Sequence, residues 1–248
     1  MHFLSEELDT YVTLHSQDEP ELLVQLNKET HQKILQPRML SGHFQGRVLS
    51  ILSKIIHPTN ILEVGTYTGY ATLCLAEGLA ENGTIDTLDN EEELFDFQRK
   101  YFDKTIWAKQ ITQHLGDALD IIPRLTKKYD LVFIDGDHSK EQVLKDIENS
   151  LNHLSSNGTI VCHDCLPRTE LMQSKQIVEG AWTGDVWKGI AKLRIERTDL
   201  DIKVINTDMG CGIIRRGSNI PYVPNGEWEN YNYFENNKKN LLIGLVQL

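Results

Sequence analysis

The chain has 248 residues, of which 40% are hydrophobic and 25% charged, a composition typical of a globular protein with one large α/β domain or two small ones. These proportions exclude a disordered chain and a collagen-like fibre. The formal net charge of −11 repels polyanions, so nucleic acid is not an expected partner.

The first 57 residues are predicted to be helical. Between Leu4 and Ile56, apolar residues recur at spacings of three and four, which is the period of an amphipathic helix. A short apolar run, Ile61–Val64, predicts the first strand. A loop with glycines at both ends follows, and a helix is predicted for Ala71–Leu79.

Strands and helices then alternate, which predicts an α/β fold. The predicted elements include Leu131–Ile134, the most apolar strand and therefore the one expected at the sheet centre. In chain order the predicted elements are strand Thr84–Leu88, helix Glu91–Phe102, strand Ile111–Leu115, strand Leu131–Ile134, helix Glu141–Leu154, strand Thr159–Cys162, helix Asp185–Arg194, and strands Ile202–Ile205 and Cys211–Arg215.

One domain is expected for residues 1–217, with N-terminal helices over 1–57 and a core over 58–217. Residues 218–248 form a tail whose aromatic side chains are predicted to lie in a pocket wall, the core or a subunit interface. The polar insertion between Leu166 and Gly184 follows a strand end and is expected to act as a lid that sets specificity.

The sequence contains no apolar run of the ~20 residues that a membrane helix needs. Residues 1–7 lack the charged-then-apolar pattern of a secretory signal, so we expect a cytosolic protein with no membrane partner. The four cysteines are too few and too scattered for a disulfide scaffold, and we expect reduced thiols.

The loop after the first strand is where a cofactor should bind, because ligands of parallel sheets lie outside the carboxyl ends of the strands. A dinucleotide needs a second glycine where this chain has Tyr67, which disfavours NAD. S-adenosylmethionine (SAM) carries no phosphate and needs only close backbone approach at Gly65 and Gly69. It also needs a carboxylate near its ammonium group, which Glu63 supplies directly or through the loop.

Two further strand ends fit the same cofactor. Asp89 ends the second strand, where a carboxylate accepts hydrogen bonds from both ribose hydroxyls. Asp117 and Ala118 follow the third strand and fit an adenine amino group and ring. Each signal is weak alone, and the ordered set of three favours SAM.

These motifs resemble the cation-dependent O-methyltransferases of catechol and caffeoyl-CoA type, within the class I SAM-dependent methyltransferases. The resemblance covers the first half of the chain and rests on Gln36–Arg47, Ile61–Leu75, Asp89 and Gly116–Leu119. It implies a Rossmann-like, doubly wound, mostly parallel seven-stranded sheet, SAM bound across the strand ends, and a homodimer. It also implies that Met39 and Ser41 lie near the donor and that Thr66, Tyr67 and Tyr70 line its methionine portion.

Carboxylates at two neighbouring strand ends predict a site for a hard divalent cation, Mg²⁺ above all. The expected ligands are Asp135 and Asp164, with His163 as the third candidate. Such an ion lowers the pKa of a bound hydroxyl and fixes it for attack on the sulfonium methyl. Asp135 is expected both in this centre and beside the donor. The Cys162-x-x-Cys165 pair has no second pair, so a structural zinc site is not expected.

The chain departs from the resembled pattern at two positions. His138 stands where the family has a lysine beside the reacting hydroxyl, and Cys165 stands where it has a metal-binding asparagine. The run Asp135-Gly136-Asp137-His138 is similar to another branch of small-molecule methyltransferases, in which Asp/Glu-Asp pairs hold Mg²⁺ in some members. An ordinary pKa near 6.5 suits His138 to act as the general base.

The sequence therefore predicts a SAM-dependent O-methyltransferase, metal-assisted, that acts on a small hydroxylated acceptor such as a catechol, a sugar or a natural product. Two alternatives stay open. One is a metal-independent methyltransferase in which His138 alone takes the proton. The other is a SAM-binding module without catalysis, since fold does not fix function.

Overall fold

A computed structural model describes residues 6–15 and 17–243 of the chain. Residues 1–5, where the predicted N-terminal helical segment begins, residue 16, and residues 244–248, where the predicted tail ends, lie outside the described residues. Within the described part, none of the helices is long and apolar enough to cross a membrane.

The described residues form a seven-stranded sheet with helices on both faces. The strands are β1 (Asn60–Val64), β2 (Thr84–Asp89), β3 (Ile111–Leu115), β4 (Tyr129–Ile134), β5 (Leu154–Cys162), β6 (Leu200–Ile205) and β7 (Cys211–Arg216). The helices are α1 (Glu6–His15), α2 (Glu21–Lys33), α3 (Gly42–Ile56), α4 (Tyr70–Ala76), α5 (Glu92–Phe102), α6 (Ala118–Ile121), α7 (Lys140–His153), α8 (Val186–Glu196) and α9 (Tyr231–Lys238). Short 3₁₀ helices cover Pro37–Met39, Ile122–Arg124 and Leu171–Gln173, and a π-helical turn covers Lys239–Ile243.

The strand order is β3-β2-β1-β4-β5-β7-β6, with β7 antiparallel to both of its neighbours and the other pairs parallel. This confirms the predicted doubly wound, mostly parallel sheet, and β4 lies at its centre as its apolar sequence predicts. The chain winds outward from β1 in one direction and from β4 in the other. The crevice between the ends of these two strands is therefore the switch point where such folds bind ligands.

Successive side chains of a strand point to opposite faces of the sheet, so each strand contributes to two hydrophobic cores. On one face, Leu131 and Phe133 pack with Leu26 of α2 and Leu49 of α3. On the other face, Val132 and Ile134 pack with side chains of α7, α8 and α9. The N-terminal helices therefore complete one of the two layers.

Several elements differ from prediction, among them α4, β5, α6 and the segment after Gly217. The helix predicted for Ala71–Leu79 is Tyr70–Ala76 and ends three residues early. Just beyond this end, Gly78 lies against the backbone of Ser53, where an added Cβ would be 2.2 Å from the carbonyl carbon. The residues after Gly217 include α9, which is missing from the prediction, and Phe234 of this helix is fully buried against Trp187.

A partly buried ion pair joins α3 to the end of α4. The guanidinium of Arg47 donates to both carboxylate oxygens of Glu77, at 3.0 and 2.7 Å, and Ser50 and Lys54 donate to the same carboxylate. Burial opposes ionisation, but these donors lower the pKa of Glu77 from 4.5 to about 2. All four cysteines are free and buried.

Replacing Glu77 by Gln leaves the Arg47 charge half-buried without its partner. We expect the free energy of unfolding at pH 7 to fall by about 2 kcal/mol, below the value for a fully buried pair because water still reaches this one. The lowered pKa of Glu77 means that its stabilisation is present above pH 4.5 and is lost as the pH falls toward 2. Urea unfolding at several pH values measures both effects. The exposed Glu81→Gln is the control, and an equal loss in both variants would contradict this account.

Candidate active site

The loop between β1 and α4 is held against the ends of both neighbouring strands. Gly65 has a φ of +97°, and a Cβ added to it would lie 2.3 Å from the backbone oxygen of Asp135. The amides of Gly65 and Thr66 donate to the Leu88 carbonyl of β2 at 3.0 and 3.2 Å. The amide of Asp135 donates to Val64 at 2.9 Å. The donor loop predicted from the sequence is therefore fixed directly beside the end of β4.

Glu63 lies beneath this loop rather than in the cleft. Its side chain is fully buried, and one carboxylate oxygen accepts hydrogen bonds from the hydroxyls of Thr72 and Thr87. Burial raises the pKa of Glu63 to about 8. Glu63 is not among the described residues that line the two cavities of the site. This position fits the predicted indirect role, in which Glu63 acts on the donor through the loop.

Asp89 lies at the end of β2 and faces the cleft. Its two carboxylate oxygens accept hydrogen bonds from the backbone amides of Tyr67, at 2.6 Å, and Glu91, at 2.9 Å. Each carboxylate oxygen has a second lone pair, so both retain capacity to accept from ribose hydroxyls. Burial raises the pKa of Asp89 despite these two bonds.

Two adjoining cavities, of about 940 and 340 Å³, lie along the strand ends. Asp89, Asp117 and Ala118 line the larger one. The smaller one is lined by the predicted residues Ser41, Thr66, Tyr70, His138, His163 and Asp164. Met39, Gly65, Tyr67 and Asp135 line both, so the two cavities form one cleft.

Two predicted donor residues make contacts that shape the site. Asp117 caps α6, and its carboxylate accepts from the amide of Leu119 at 2.8 Å. Gly69 lies against the ring of Phe102, where an added Cβ would be 2.5 Å from a ring carbon, and it lines neither cavity among the described residues. The glycine therefore permits the helix–loop packing that shapes the site.

Side chains from β4 and β5 converge at the smaller cavity. Asp135, His138 and Asp164 each offer one ligand-type atom, and these atoms lie within 4.8 Å of one another. The Nδ1 atom of His138 is 3.0 Å from Oδ2 of Asp164. This Nδ1 is buried and lacks a partner with hydrogen-bond alignment. The parallel strands thus bring together residues separated by 29 positions in the chain, as the sequence predicts.

His163 lies among three carboxylates. Its Nδ1 is 3.3 Å from Oδ1 of Asp135 and 3.4 Å from Oδ1 of Asp164. Its Nε2 is 3.0 Å from Oδ2 of Asp208. Burial alone would lower the pKa of this imidazole, but the carboxylates of Asp164 and Asp135 raise it well above its ordinary value. The imidazole therefore offsets the negative charge that collects at these strand ends.

His138 has a similar electrostatic environment and an aromatic neighbour. Burial lowers the pKa of His138, and Asp164 and Asp135 raise it by more, so the net direction is upward. Its ring stacks on Trp182, with ring centroids 4.8 Å apart and planes 12° from parallel. The imidazole is therefore held in one orientation at the cavity wall.

The structure also shows two site residues that the sequence analysis missed. The side-chain amide of Gln45 donates to Oδ2 of Asp135 at 3.2 Å, and Asp208 contacts His163. Gln45 is 5% exposed and lies on the buried face of α3 with Arg47, Ser50 and Ser53, so hydrophobic patterning does not mark it. Asp208 lies in the turn between β6 and β7. It contacts His163, which is 45 residues away in the chain, so no local sequence pattern indicates this contact.

The donor set at the two strand ends fits a divalent cation. Carboxylate oxygens and imidazole nitrogens are both metal ligands in proteins, and those of Asp135, His138 and Asp164 converge here. Cys165 does not take part, because its thiol donates to the Cys162 carbonyl at 3.2 Å and is fully buried. Hence the residue in the family's asparagine position contributes nothing to this cluster.

The insertion predicted as a lid lies beside the smaller cavity. The guanidinium of Arg38 donates to the carbonyls of Val178 and Gly180 at 2.9 and 3.0 Å. The indole of Trp182 donates to the Ser174 carbonyl at 2.8 Å. Residues 177 and 180–182 line the cavity, and a role in specificity stays a prediction.

Comparison with known proteins identifies the class. A family model described as O-methyltransferase matches residues 13–189, which is more than half of the chain. The chain therefore belongs to this O-methyltransferase family, as its motifs indicate.

Three curated relatives match about half of the chain. Catechol O-methyltransferase of Niastella koreensis is 31% identical over 144 residues, covering 56% of this chain and 64% of that protein. Catechol O-methyltransferase of Mycobacterium tuberculosis is 31% identical over 129 residues, covering 52% and 57%. Caffeoyl-CoA O-methyltransferase 2 of Eucalyptus globulus is 31% identical over 105 residues, covering 40% and 42%. The matches thus span less than two thirds of these relatives.

Solved structures of methyltransferases share the fold. The methyltransferase PaMTH1 of Podospora anserina, bound to S-adenosylhomocysteine (SAH), has a TM-score of 0.75 at 23% identity, covering 88% of this chain and 99% of that one. The O-methyltransferase TomG of Streptomyces achromogenes, in complex with SAM, has a TM-score of 0.72 at 22% identity, covering 85% and 96%. These similarities confirm the architecture.

Replacing Gly65 by Ala tests the close approach of the donor loop to β4. The added Cβ would collide with the Asp135 backbone, so we expect a loss of about 3 kcal/mol in unfolding free energy and at least tenfold weaker SAH binding. Gly42→Ala is the matched control, because Gly42 has a φ of +72° but nothing lies within 4 Å of an added Cβ. The Gly42→Ala variant should lose only about 1 kcal/mol of unfolding free energy, from backbone strain alone. Urea unfolding and calorimetry measure both quantities, and equal effects of the two substitutions would rule out the contact as the cause.

Proposed function

We propose that the chain transfers a methyl group from SAM to a hydroxyl of a small molecule. The observation that carries this proposal is the shared cleft. The side chains of Asp135, His138, His163 and Asp164 form an acid–imidazole cluster. Asp135 of this cluster and Gly65 and Tyr67 of the donor loop line both cavities. A donor along the larger cavity therefore ends beside the groups that would act on an acceptor.

The larger cavity suits the nucleoside of SAM, and the methionine portion would extend to its junction with the smaller cavity. Asp89 would accept hydrogen bonds from the ribose hydroxyls, and Asp117 and Ala118 lie where the adenine would bind. Thr66, Tyr67 and Tyr70 would contact the methionine portion, with Met39 and Ser41 beside it. The SAM- and SAH-bound structures that share the fold support this assignment.

The smaller cavity suits the acceptor. Its volume of about 340 Å³ and its wall of Met39 and Trp182 favour a compact, partly apolar molecule with a hydroxyl group. Catechols agree with the names of the curated relatives, and sugars and natural products remain candidates. The net charge of −11 disfavours nucleic acid.

Methyl transfer is a displacement at carbon, so the protein contributes alignment and removal of the hydroxyl proton. The His138 imidazole takes that proton, and the Asp164 carboxylate at 3.0 Å stabilises the cationic ring. Trp182 and Asp164 together fix the plane of the imidazole. A divalent cation held by Asp135 and Asp164 would supply positive charge that lowers the pKa of the acceptor hydroxyl.

The homodimer implied by the resemblance and the cytosolic location stay predictions. Ile51 and Ile55 are 56% and 75% exposed on α3 and offer an apolar face for a second copy.

Two substitutions separate donor binding from transfer. We expect His138→Gln to lower methyl transfer to a catechol or sugar acceptor by about 10²- to 10⁴-fold while leaving SAH affinity unchanged, because the base contacts the acceptor. We expect Asp89→Asn to weaken SAH binding by about tenfold or more, because it removes charge-assisted hydrogen bonds. Calorimetry with SAH and a radiolabelled transfer assay measure the two effects.

Other results of these assays would favour the alternatives. Transfer that is unaffected by EDTA supports the metal-independent route through His138. SAH binding without transfer to any acceptor in a broad panel supports a binding module. A His138→Gln variant as active as the unaltered protein contradicts the assignment of the base.

A further inference from the structure

The acid–imidazole cluster has the spacing of a ligand set. The distances from His138 Nδ1 to Asp164, and from His163 Nδ1 to Asp135 and Asp164, are 3.0, 3.3 and 3.4 Å. Two ligand atoms each about 2.1 Å from one ion, at octahedral or tetrahedral angles, lie about 3.0 to 3.4 Å apart. The buried His138 Nδ1 has no aligned hydrogen-bond partner, although Oδ2 of Asp164 lies only 3.0 Å away.

A third carboxylate fixes the orientation of the His163 ring. Oδ2 of Asp208 lies 3.0 Å from His163 Nε2, so a proton on Nε2 is donated to Asp208 and leaves the Nδ1 lone pair toward Asp135 and Asp164. A carboxylate behind an imidazole is the usual outer contact of a metal-bound histidine.

The backbone holds Asp208 in place for this role. The amides of Cys165 and Leu166 donate to the carbonyls of Gly210 and Met209, at 3.1 and 2.7 Å. These bonds tie the end of β5 to the turn that carries Asp208. His163 and Asp164 are 7% and 5% exposed, so the cluster is enclosed.

We propose that this centre holds a transition-metal ion in preference to Mg²⁺, with His163 Nδ1 as a ligand beside Asp135 and Asp164 and with Asp208 as the positioning residue of His163. Mg²⁺ is bound by oxygen, whereas imidazole favours zinc, iron and other first-row transition metals. This inference rests on the proposed function in one respect, which is that the ion would lie where the acceptor hydroxyl reacts.

The test compares the metal affinities of the intact chain and its variants. Calorimetry with Zn²⁺ and with Mg²⁺, and pulsed electron paramagnetic resonance of the Mn²⁺-loaded protein, report affinity and ligand nitrogen separately from activity. We expect one high-affinity Zn²⁺ per chain and nitrogen coupling to bound Mn²⁺. His163→Asp should weaken Zn²⁺ at least tenfold, strengthen Mg²⁺, and reduce the nitrogen coupling.

Asp208→Asn should weaken Zn²⁺ binding by about 10- to 100-fold, because Asp208 orients His163. SAH affinity should stay unchanged, because Asp208 is not among the described residues that line the larger cavity. The exposed Asp18→Asn is the matched control and should change neither affinity. Absence of nitrogen coupling, equal Zn²⁺ affinity in Asp208→Asn and Asp18→Asn, or no metal binding would overturn the inference.

SAH affinity on the same samples reports on the proposed function separately. A protein that binds SAH but shows no nitrogen coupling overturns only the metal inference. A protein that binds Zn²⁺ through His163 but not SAH supports the metal inference and contradicts the proposed function.

Discussion

The close approach of the Gly65 backbone to the Asp135 carbonyl is the constraint on which the site depends. This contact lies at the switch point of the sheet, between the ends of β1 and β4. A side chain at position 65 would separate the two strand ends and divide the cleft. Because position 65 is a glycine, the donor loop and the acid–imidazole cluster can line the same cleft.

The molecule buries carboxylates around this contact in two ways. Glu63 lies under the loop with a pKa of about 8, so at neutral pH it is mostly protonated and adds little negative charge. Asp164 is 5% exposed and lies beside two imidazoles, which compensate its charge. An uncompensated carboxylate at either place would cost several kcal/mol. One buried carboxylate is thus neutralised by protonation and the other by neighbouring imidazoles.

The sequence predicts most of the fold and part of the site, for a physical reason. Parallel strands end at one edge of a sheet, so Asp89, Asp135 and Asp164 can be placed together from strand patterns alone. Contacts made by turns and distant helices lack a periodic signal. Asp208 reaches His163 across 45 residues through the β6–β7 turn, and α9 is too polar in sequence for its one buried face to be recognised.

A crystal structure of the complex with SAH tests the central claim most directly. The account predicts the ribose hydroxyls within about 2.7 Å of the Asp89 carboxylate, the adenine beside Ala118, and the sulfur at the junction of the two cavities, facing His138. SAH bound with its sulfur away from Asp135 and His138, or with its ribose away from Asp89, would contradict the shared-cleft account.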